Sequence, residues 1–175
     1  MYESVKKYHG FYIGRYEATM KGPDGSPSSL PFIIANSSPV TSIAFNNRVV
    51  SLLASGSITK DDVVSTLCYG VQWDQTVRFI EKNYPGISKD STGKGNYSGT
   101  VIKTGSNEAY AQNNIYDMCG NAMEWTMEAY GSGTRVARGG YCKSNGIGTP
   151  ISNRVGLSTT STDNALGYRV ALYIK

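Results

Sequence analysis

Histidine and cysteine are scarce in this sequence. Among 175 residues there is one histidine, His9, and there are three cysteines, Cys68, Cys119 and Cys142. A single histidine excludes a multi-histidine metal site and a histidine pair for acid–base catalysis, so we expect His9 at the surface. The cysteines lack the CxxC spacing of zinc and redox sites. We therefore expect free thiols, with no metal and no cofactor.

Long apolar runs and clusters of one charge are also missing. No stretch approaches the roughly 18 apolar residues of a membrane span, and the first seven residues lack the apolar region of a signal peptide. The formal net charge is +4, but Lys and Arg are scattered and their longest run is Lys6–Lys7. Nucleic-acid binding requires a basic patch or stripe. We predict that the protein neither inserts into membranes nor binds nucleic acid.

Tyrosine and glycine, by contrast, are abundant, with 13 and 20 residues. Tyrosine provides rigid amphipathic contact area and glycine permits irregular backbone, a combination common at binding surfaces. The length is typical of a single domain, and there is no internal repeat at solenoid spacing. We expect one domain over residues 1–175, with a function in recognition.

The N-terminal part of the chain predicts a strand, a loop and a helix. A β-rich run from Gly10 should end near Thr19, before a turn cluster of Gly, Pro and Asp. Residues 26–39 are rich in Ser and Pro and should be loop. Ser42 can then cap a first helix over about residues 42–54, where apolar residues recur at helical spacing.

A second helix is predicted near the middle of the chain. Residues 59–62 have the form of a capping box that leads into a short Val-Val segment. Further on, Trp73, Val77 and Ile80 recur at i, i+4 and i+7, which predicts a helix that stops before Pro85.

The remaining patterns predict a long loop and a terminal strand. Residues 86–114 are rich in Gly, Ser, Lys and Asn and should form a surface loop. Residues 168–174 alternate with the period of two that is typical of a half-buried strand, and we expect this strand to pair with the first one. The local patterns together predict an α+β domain with much irregular loop.

Four segments, in this order, resemble motifs of the formylglycine-generating enzyme family. They are FYIGRYEAT from Phe11, IYDMCGNAMEWT from Ile115, RVARGGYC from Arg135 and GYRVAL from Gly167. The resemblance spans nearly the whole chain. It implies a C-type lectin fold, with a small twisted antiparallel sheet, two flanking helices and much ordered loop.

The resemblance also implies structural roles for motif residues. Trp125 should be a core anchor beneath the Gly120–Asn121 turn, and Glu124 a buried or loop-bonding acid. The related turn binds calcium in some proteins of this fold, since hard cations take oxygen ligands. Asn121 and Glu124 are therefore alternative calcium ligands, although we expect a metal-free turn.

The enzymes of this family oxidise a substrate cysteine with two cysteines of their own, which follow the RGG stretch and can hold copper(I). Those positions fall near Ser144 and Thr149 in this sequence, and a hydroxyl replaces a thiolate neither as a soft-metal ligand nor in redox exchange. Cys142 stands where the family has an aromatic residue. We therefore predict no catalytic residues and no enzyme activity. The alternative is an oxidoreductase with an atypical site, in which Cys142 lies close to Cys119 or Cys68.

Residues 141–166, between the RGG and GYR motifs, have neither helical nor strand periodicity. They include no Trp, Met, Gln, Glu or Phe and a single Lys, Lys143. Codons of the form AAY, with two adenines and a final pyrimidine, yield every residue type of this segment except Lys when their adenines are randomised. This resembles the variable proteins of diversity-generating retroelements, which carry diversified residues at this place on the same fold. Lys143 and the missing Phe depart from that pattern, whereas Ser152 and Arg154 match its fixed scaffold positions.

We therefore predict a ligand-binding module in which residues 141–166, here called the display segment, present side chains to a protein or glycan on a target surface. Stability should then come from Trp73, Trp125 and the two end strands. We expect a phage particle or a bacterial cell surface as the location, and the first residues resemble the edge of a domain trimmed from a longer protein. The alternatives are an undiversified tail-fibre or adhesin tip, and a display segment that is merely a connection. The predicted ligand-binding residues are Tyr141, Ser144, Asn145, Ile147, Thr149, Asn153, Val155, Leu157, Thr160 and Asp163.

Overall fold

The computed structural model describes residues 1–22, 24–47 and 61–175. Most of the predicted first helix, residues 48–54, and half of the capping box, residues 59–60, lie outside the described residues. The described part of that helix holds one 3-10 turn, Phe45–Asn47. Ser42 lies at a φ of 57°, so it does not have the extended backbone of a helix N-cap.

The described chain combines two α-helices with eleven short strands. In chain order these are α1 (Tyr2–Tyr8), β1 (Tyr12–Ile13), β2 (Thr19–Lys21), β3 (Pro27–Phe32), β4 (Val63–Leu67), α2 (Gly70–Glu81), β5 (Ala111–Gln112), β6 (Ile115–Tyr116), β7 (Met123–Gly131), β8 (Thr134–Arg138), β9 (Val155–Ser158), β10 (Leu166–Tyr168) and β11 (Val170–Ile174).

An antiparallel sheet joins the two ends of the chain. Strand β11 lies at its centre, between β1 and β4. Tyr12 of β1 is opposite Leu172, and Val170 is opposite Leu67 of β4. The prediction that the terminal strand pairs with the first strand is thus confirmed.

A second sheet, with strand order β10-β7-β8-β9, carries the display segment at one edge. β7 and β8 form a hairpin, and β9 pairs antiparallel with β8 so that Leu157 lies opposite Arg135. β10 runs parallel to β7, with Tyr168 opposite Trp125, so this sheet is mixed and not purely antiparallel. The edge strand β9 belongs entirely to residues 141–166.

Helix α2 packs one apolar face against the core. Trp73, Val77 and Ile80 on that face are buried, as their spacing predicts, and the helix ends at Glu81, before Pro85. The indole Nε1 of Trp73 donates to the carbonyl of Ile151 at 2.8 Å, which ties the helix to the display segment. Within residues 1–22, 24–47 and 61–175, no helix is long and apolar enough to cross a membrane.

Each tryptophan anchors its own part of the core. Trp125 is fully buried, packs edge-on against Phe45 with ring centres 5.7 Å apart, and donates from Nε1 to the carbonyl of Ile43. Trp73 packs with Met118 and Cys119, next to the Gly120 turn. Trp125 is therefore a core anchor as the resemblance implies, but the tryptophan packed beside that turn is Trp73.

Two predictions for the N-terminal part are wrong. The first β run ends at Ile13, although Gly14 N still donates to Val170 O of β11; by Ala18 the chain has reached β10, where Ala18 N donates to Tyr168 O. Residues 26–39 contain strand β3, which pairs with β2. The Ser and Pro content conceals this strand because a two-stranded ribbon at the surface needs little apolar sequence.

The predicted loop over residues 86–114 is irregular but does not lie on the surface throughout. Ile87, Ser91, Asn96 and Thr104 within it are buried, and its last residues form a 3-10 turn and strand β5. The buried polar side chains hydrogen-bond to neighbouring backbone and side chains. Polar composition therefore marks an internal scaffold here, because buried loops must satisfy their polar groups with side chains.

Candidate functional site

The display segment begins at a buried residue that is bonded on both sides. The amide of Cys142 donates to the carbonyl of Asn121 at 2.9 Å, and its carbonyl accepts from Gly99 N at 2.8 Å. The Cys142 side chain is buried. The start of the segment is therefore held to the Gly120–Asn121 turn by backbone bonds that do not depend on exposed side chains.

Ser91 forms hydrogen bonds with two residues in the middle of the display segment. This fully buried serine donates from its amide to Gly146 O at 2.9 Å, and its hydroxyl accepts from Ile151 N at 2.9 Å. Ile151 is itself buried and its carbonyl accepts from Trp73. A Cβ at Gly146 would lie 2.1 Å from the backbone nitrogen of Thr92, so glycine is required for this close approach.

Exposed side chains alternate with these buried anchors. Lys143, Asn145 and Ile147 are exposed, and Ile147 exposes 68% of its surface. The shape of the loop is fixed locally, because Asn145 Oδ1 accepts from the amides of Ile147 (3.2 Å) and Gly148 (2.6 Å). Such side-chain-to-backbone bonds stabilise turns without a core.

The second half of the display segment is the edge strand β9 and the turn that follows it. Leu157 is half-buried against the Trp125 part of the core. At the preceding residue, a Cβ on Gly156 would lie 2.3 Å from the ring of Tyr130, so this exposed tyrosine packs on the strand. Asp163 closes the turn, since its carbonyl accepts from Ser42 N and its Oδ1 from Ala165 N.

The ten predicted ligand-binding residues fall into two groups, with Asn153 between them. Five lie in the loop over residues 141–149, and the others lie on β9 and in its turn. A contact of 3.4 Å between Lys143 Nζ and Asn164 Oδ1 connects the two groups. None of the ten is fully buried: Asn145, Ile147, Thr160 and Asp163 are exposed, and Tyr141, Ser144, Thr149, Asn153, Val155 and Leu157 are half-buried. Their role in binding stays a prediction.

At the positions of the family's cysteine pair, the structure places two hydroxyl groups in contact. Thr149 Oγ1 donates to Ser144 Oγ at 2.5 Å, and Ser144 Oγ also bonds the backbone of Tyr141. The pair therefore closes the loop over residues 141–149 structurally. Oxygen atoms at both positions do not provide the soft ligands that copper(I) prefers.

The three cysteines are free and buried. Burial raises the pKa of Cys119 to about 12 and raises the pKa of Cys68 further. Burial raises the pKa of Cys142 as well. A thiol with a raised pKa is a poor nucleophile near neutral pH, so the arrangement does not favour the alternative of an atypical cysteine site.

The oxygens of the alternative calcium ligands are bonded to protein groups. Asn121 Oδ1 accepts from Asn96 Nδ2 and Ile102 N, both at 2.9 Å. Both carboxylate oxygens of Glu124 accept from the buried guanidinium of Arg169, at distances of 2.8 to 3.1 Å. Glu124 is thus a buried acid, in agreement with the resemblance.

The Gly120–Asn121 turn also contacts a buried acid from the first motif. Glu17 Oε2 accepts from Asn121 Nδ2 at 2.6 Å and Oε1 from Ala122 N at 3.1 Å. Burial raises the pKa of Glu17 well above its usual range, and the nearby Asp117 and Glu124 carboxylates add to this effect. Burial likewise raises the pKa of both of those acids. Three carboxyl groups thus share a buried site with one guanidinium.

The predicted fixed positions contact the scaffold. Ser152 Oγ donates to the carbonyl of Ser88. The guanidinium of Arg154 lies 2.6 Å from Asp74 Oδ2 of α2 and 2.8 Å from Glu128 Oε1 of β7. The buried Arg138, at the end of β8, also pairs with Asp74. Two arginines thus form ion pairs that link β8 and the start of β9 to helix α2.

Sequence reasoning missed Ser91, the residue that holds the middle of the display segment. A lone serine in a polar stretch has no pattern that distinguishes it from its exposed neighbours. It also missed the role of Glu17, although this residue lies within the FYIGRYEAT motif. An acid flanked there by aromatic and small residues is a signal that could have indicated burial with polar partners.

The two larger sheets, the two helices and the long ordered connections of the described residues define the class of this protein. It has a C-type lectin fold of the formylglycine-generating type, with hydroxyl groups at the positions of the enzymes' cysteine pair. Residues 70–174 match the sequence profile of the sulfatase-modifying factor enzyme 1-like domain, and the chain belongs to this family.

Solved structures agree with this class. Variable protein 1 of Treponema denticola superposes with a TM-score of 0.58 at 14% identity, over 92% of this chain and 84% of that one. CarF superposes with a TM-score of 0.56 at 13% identity, over 99% of this chain and 82% of its own. At these identities the likeness is one of fold. No curated protein matches the chain.

Proposed function

We propose that this protein is a non-catalytic ligand-binding module that uses the display segment, residues 141–166, to contact a protein or glycan on a target surface. The observation that carries the proposal is the alternation along this segment. Buried anchors such as Cys142 and Ile151 hold the backbone, while Asn145, Ile147 and Thr160 extend into solvent. A rigid scaffold with exposed loop side chains is the usual arrangement of a recognition surface.

The finer proposal is that the display segment is diversified, as in the variable proteins of diversity-generating retroelements. The fold of the Treponema denticola variable protein supports it, and so does the residue content of the segment. A phage particle or a bacterial cell surface is the location we propose. The contacts of Ser152 and Arg154 with the scaffold are those expected of positions that stay constant while their neighbours change.

Combinatorial substitution tests whether the fold tolerates such diversity. A library with all residue types at Asn145, Ile147, Thr160 and Asp163 is displayed on yeast, and a matched library randomises the anchors Cys142, Ser91 and Ile151. We expect most members of the first library and few of the second to resist proteolysis, because only the second removes core contacts. Equal losses in the two libraries would contradict the proposal.

Natural variation tests the diversification itself. Sequencing of the gene across its population should show substitutions concentrated in codons 141–166, at adenine positions of a near-identical template. Even variation along the gene would leave a module with one fixed ligand and would remove the retroelement from the proposal.

A further inference from the structure

A groove outside the display segment lies between two chain segments that separate after a short pairing. Thr104 N donates to Ser37 O at 3.0 Å and Asn36 N to Thr104 O at 2.7 Å. Beyond this bridge, residues 38–41 form one wall and residues 101–106 the other, around a cavity of about 510 Å³. This volume lies within the range of ligand-binding clefts.

The wall over residues 101–103 offers unpaired backbone groups. Ile102 N donates to Asn121 Oδ1 at 2.9 Å, and Ile102 O accepts from Asn121 Nδ2 at 3.3 Å. In an extended chain, the neighbours of a residue that bonds inward direct their backbone groups the other way. The N–H and C=O of Val101 and the N–H of Lys103 have no hydrogen-bond partner in residues 1–22, 24–47 and 61–175.

The spacing of these groups suits an extended peptide. Alternate residues of a strand repeat at about 6.7 Å, so Val101 presents a donor and an acceptor, and Lys103 a second donor, at the repeat of a second strand. The Lys103 carbonyl accepts from Ser106. Pairing of a free peptide with an open edge is a common mode of protein recognition. The half-buried Val101 and Ile102 provide apolar surface along the groove, with the buried Pro39 on the opposite wall, and this surface would receive side chains of that peptide.

The charge of the groove is of one sign. Lys103 is exposed and is the charged side chain that lines the cavity, while the other lining residues are neutral. An acidic side chain on the peptide is therefore favoured over a basic one.

The groove borders both ends of the display segment. Ser42 N, at the end of one wall, donates to Asp163 O, and Gly99 N, before the other wall, donates to Cys142 O. A partner that contacts the display segment is thereby within reach of the groove, whose residues lie outside the predicted diversified positions.

We propose that this groove binds an extended, acidic segment of the protein partner by strand addition along Val101–Lys103, with a carboxylate beside Lys103 and an apolar side chain against Val101. The inference rests on the proposed function and specifies that the ligand is a protein, not a glycan. The display segment then selects among partners, while the groove supplies a contact common to all of them.

A phage-displayed library of random heptapeptides tests the proposal, with enrichment measured by deep sequencing. On the wild-type protein we expect peptides with Asp or Glu next to aliphatic residues to be enriched about tenfold over their Lys counterparts, the factor that 1.4 kcal/mol provides. Lys103→Glu should reverse this preference. The matched control Lys89→Glu changes an exposed lysine outside the groove and should leave the preference unchanged.

The backbone contribution is measured with a synthetic copy of an enriched peptide. N-methylation of the residue opposite Val101 should weaken binding about tenfold or more, because it removes one main-chain hydrogen bond. The proposal that the groove binds a peptide would be overturned by any of three results: no enrichment, the same preference in the Lys103→Glu variant, or full binding by the N-methylated peptide.

The outcome is separable from that of the proposed function. Substitution of Asn145 and Ile147 alters partner choice if the display segment binds ligand, whether or not heptapeptides enter the groove. Conversely, heptapeptide binding that depends on Lys103 supports the groove even where such substitutions change nothing.

Discussion

The Ser144–Thr149 hydroxyl pair allows a direct test of geometry at the level of single residues. Because the two oxygens are 2.5 Å apart, replacing both residues by cysteine should place two sulfurs within disulfide reach. We expect the double variant, with its three native and two introduced cysteines, to lose two titratable thiols after mild oxidation. Thiol titration of the denatured protein measures this. Five remaining thiols would show that the loop holds these positions apart.

Arg138 and Arg154 share two acids, Asp74 and Glu128, but differ in burial. Arg138 is fully buried and binds Asp74 together with the carbonyls of Ser152 and Asn153, whereas 44% of the Arg154 side chain is exposed. Arg138→Met leaves the carbonyls of Ser152 and Asn153 without their donor, which costs about 1 to 3 kcal/mol, whereas loss of an exposed ion pair costs about 0.5 kcal/mol. We expect Arg138→Met to lower the free energy of unfolding in urea far more than Arg154→Met. Similar losses would mean that the exposed bridges to Asp74 and Glu128 dominate.

At the level of elements, the display segment packs closely on the backbone of Ser91 and Thr92. Substitutions at two glycines test that packing. Gly146→Ala should destabilise the protein by about 1 to 3 kcal/mol, because the new methyl group would meet the Thr92 backbone and overpacking costs that much. Gly148→Ala is the control, since its nearest neighbour, at 3.1 Å, is the side-chain Oδ1 of Asn145. Urea denaturation of both variants measures the difference, and equal midpoints would contradict this packing.

Strong periodicity allowed several elements to be predicted from the sequence. Helix α2 follows from the spacing of Trp73, Val77 and Ile80, and strand β11 from the alternation that ends at Ile174. Strand β3 was not predictable, because its formation depends on pairing with β2 and hardly on its own composition. The same reason applies to Ser91, whose role depends on a contact with Ile151 that is 60 residues away.

At the site, sequence reasoning located the segment but not its support. The exposed residues Asn145 and Ile147 were predicted from the motifs on either side of them. The buried contacts of Gly146 and Cys142 arise from chain segments that no local pattern connects. Resemblance to a family therefore indicated the segment, of whose ten predicted ligand-binding residues four are exposed and six half-buried, but not the residues that support it.

The whole molecule should respond to pH through its buried carboxyl groups. Glu17, Glu124 and Asp117 have pKa values raised chiefly by burial. Between the ordinary and the raised pKa values, the folded protein binds more protons than the unfolded chain, so stability falls as the pH rises through that window. The window opens near pH 4, at the ordinary carboxyl values. We expect a lower urea midpoint at pH 8 than at pH 5.

Two exposed acids act in the opposite direction but outside this range. Hydrogen bonds from Ser26 and Thr92 lower the pKa of Asp24 and Asp90, so their contribution to stability changes only below about pH 4.

Glu17→Gln should flatten the dependence of the urea midpoint on pH between pH 5 and pH 8, even though the amide loses one hydrogen bond. If the urea midpoint of this variant changes with pH as it does in the wild type, Glu17 is not the group that binds the additional proton in the folded protein.

The pairing of β1 with β11 places the two ends of the described chain side by side, and Tyr8 Oη donates to the carbonyl of Lys175 at 3.1 Å. A short linker can therefore close the chain into a ring without disturbing the sheet. New ends could be opened at the exposed Ser132–Gly133 turn between β7 and β8. Such a circular permutant would keep the anchors Cys142, Ser91 and Ile151 of the display segment, and it would carry a fusion partner at a different point of the scaffold.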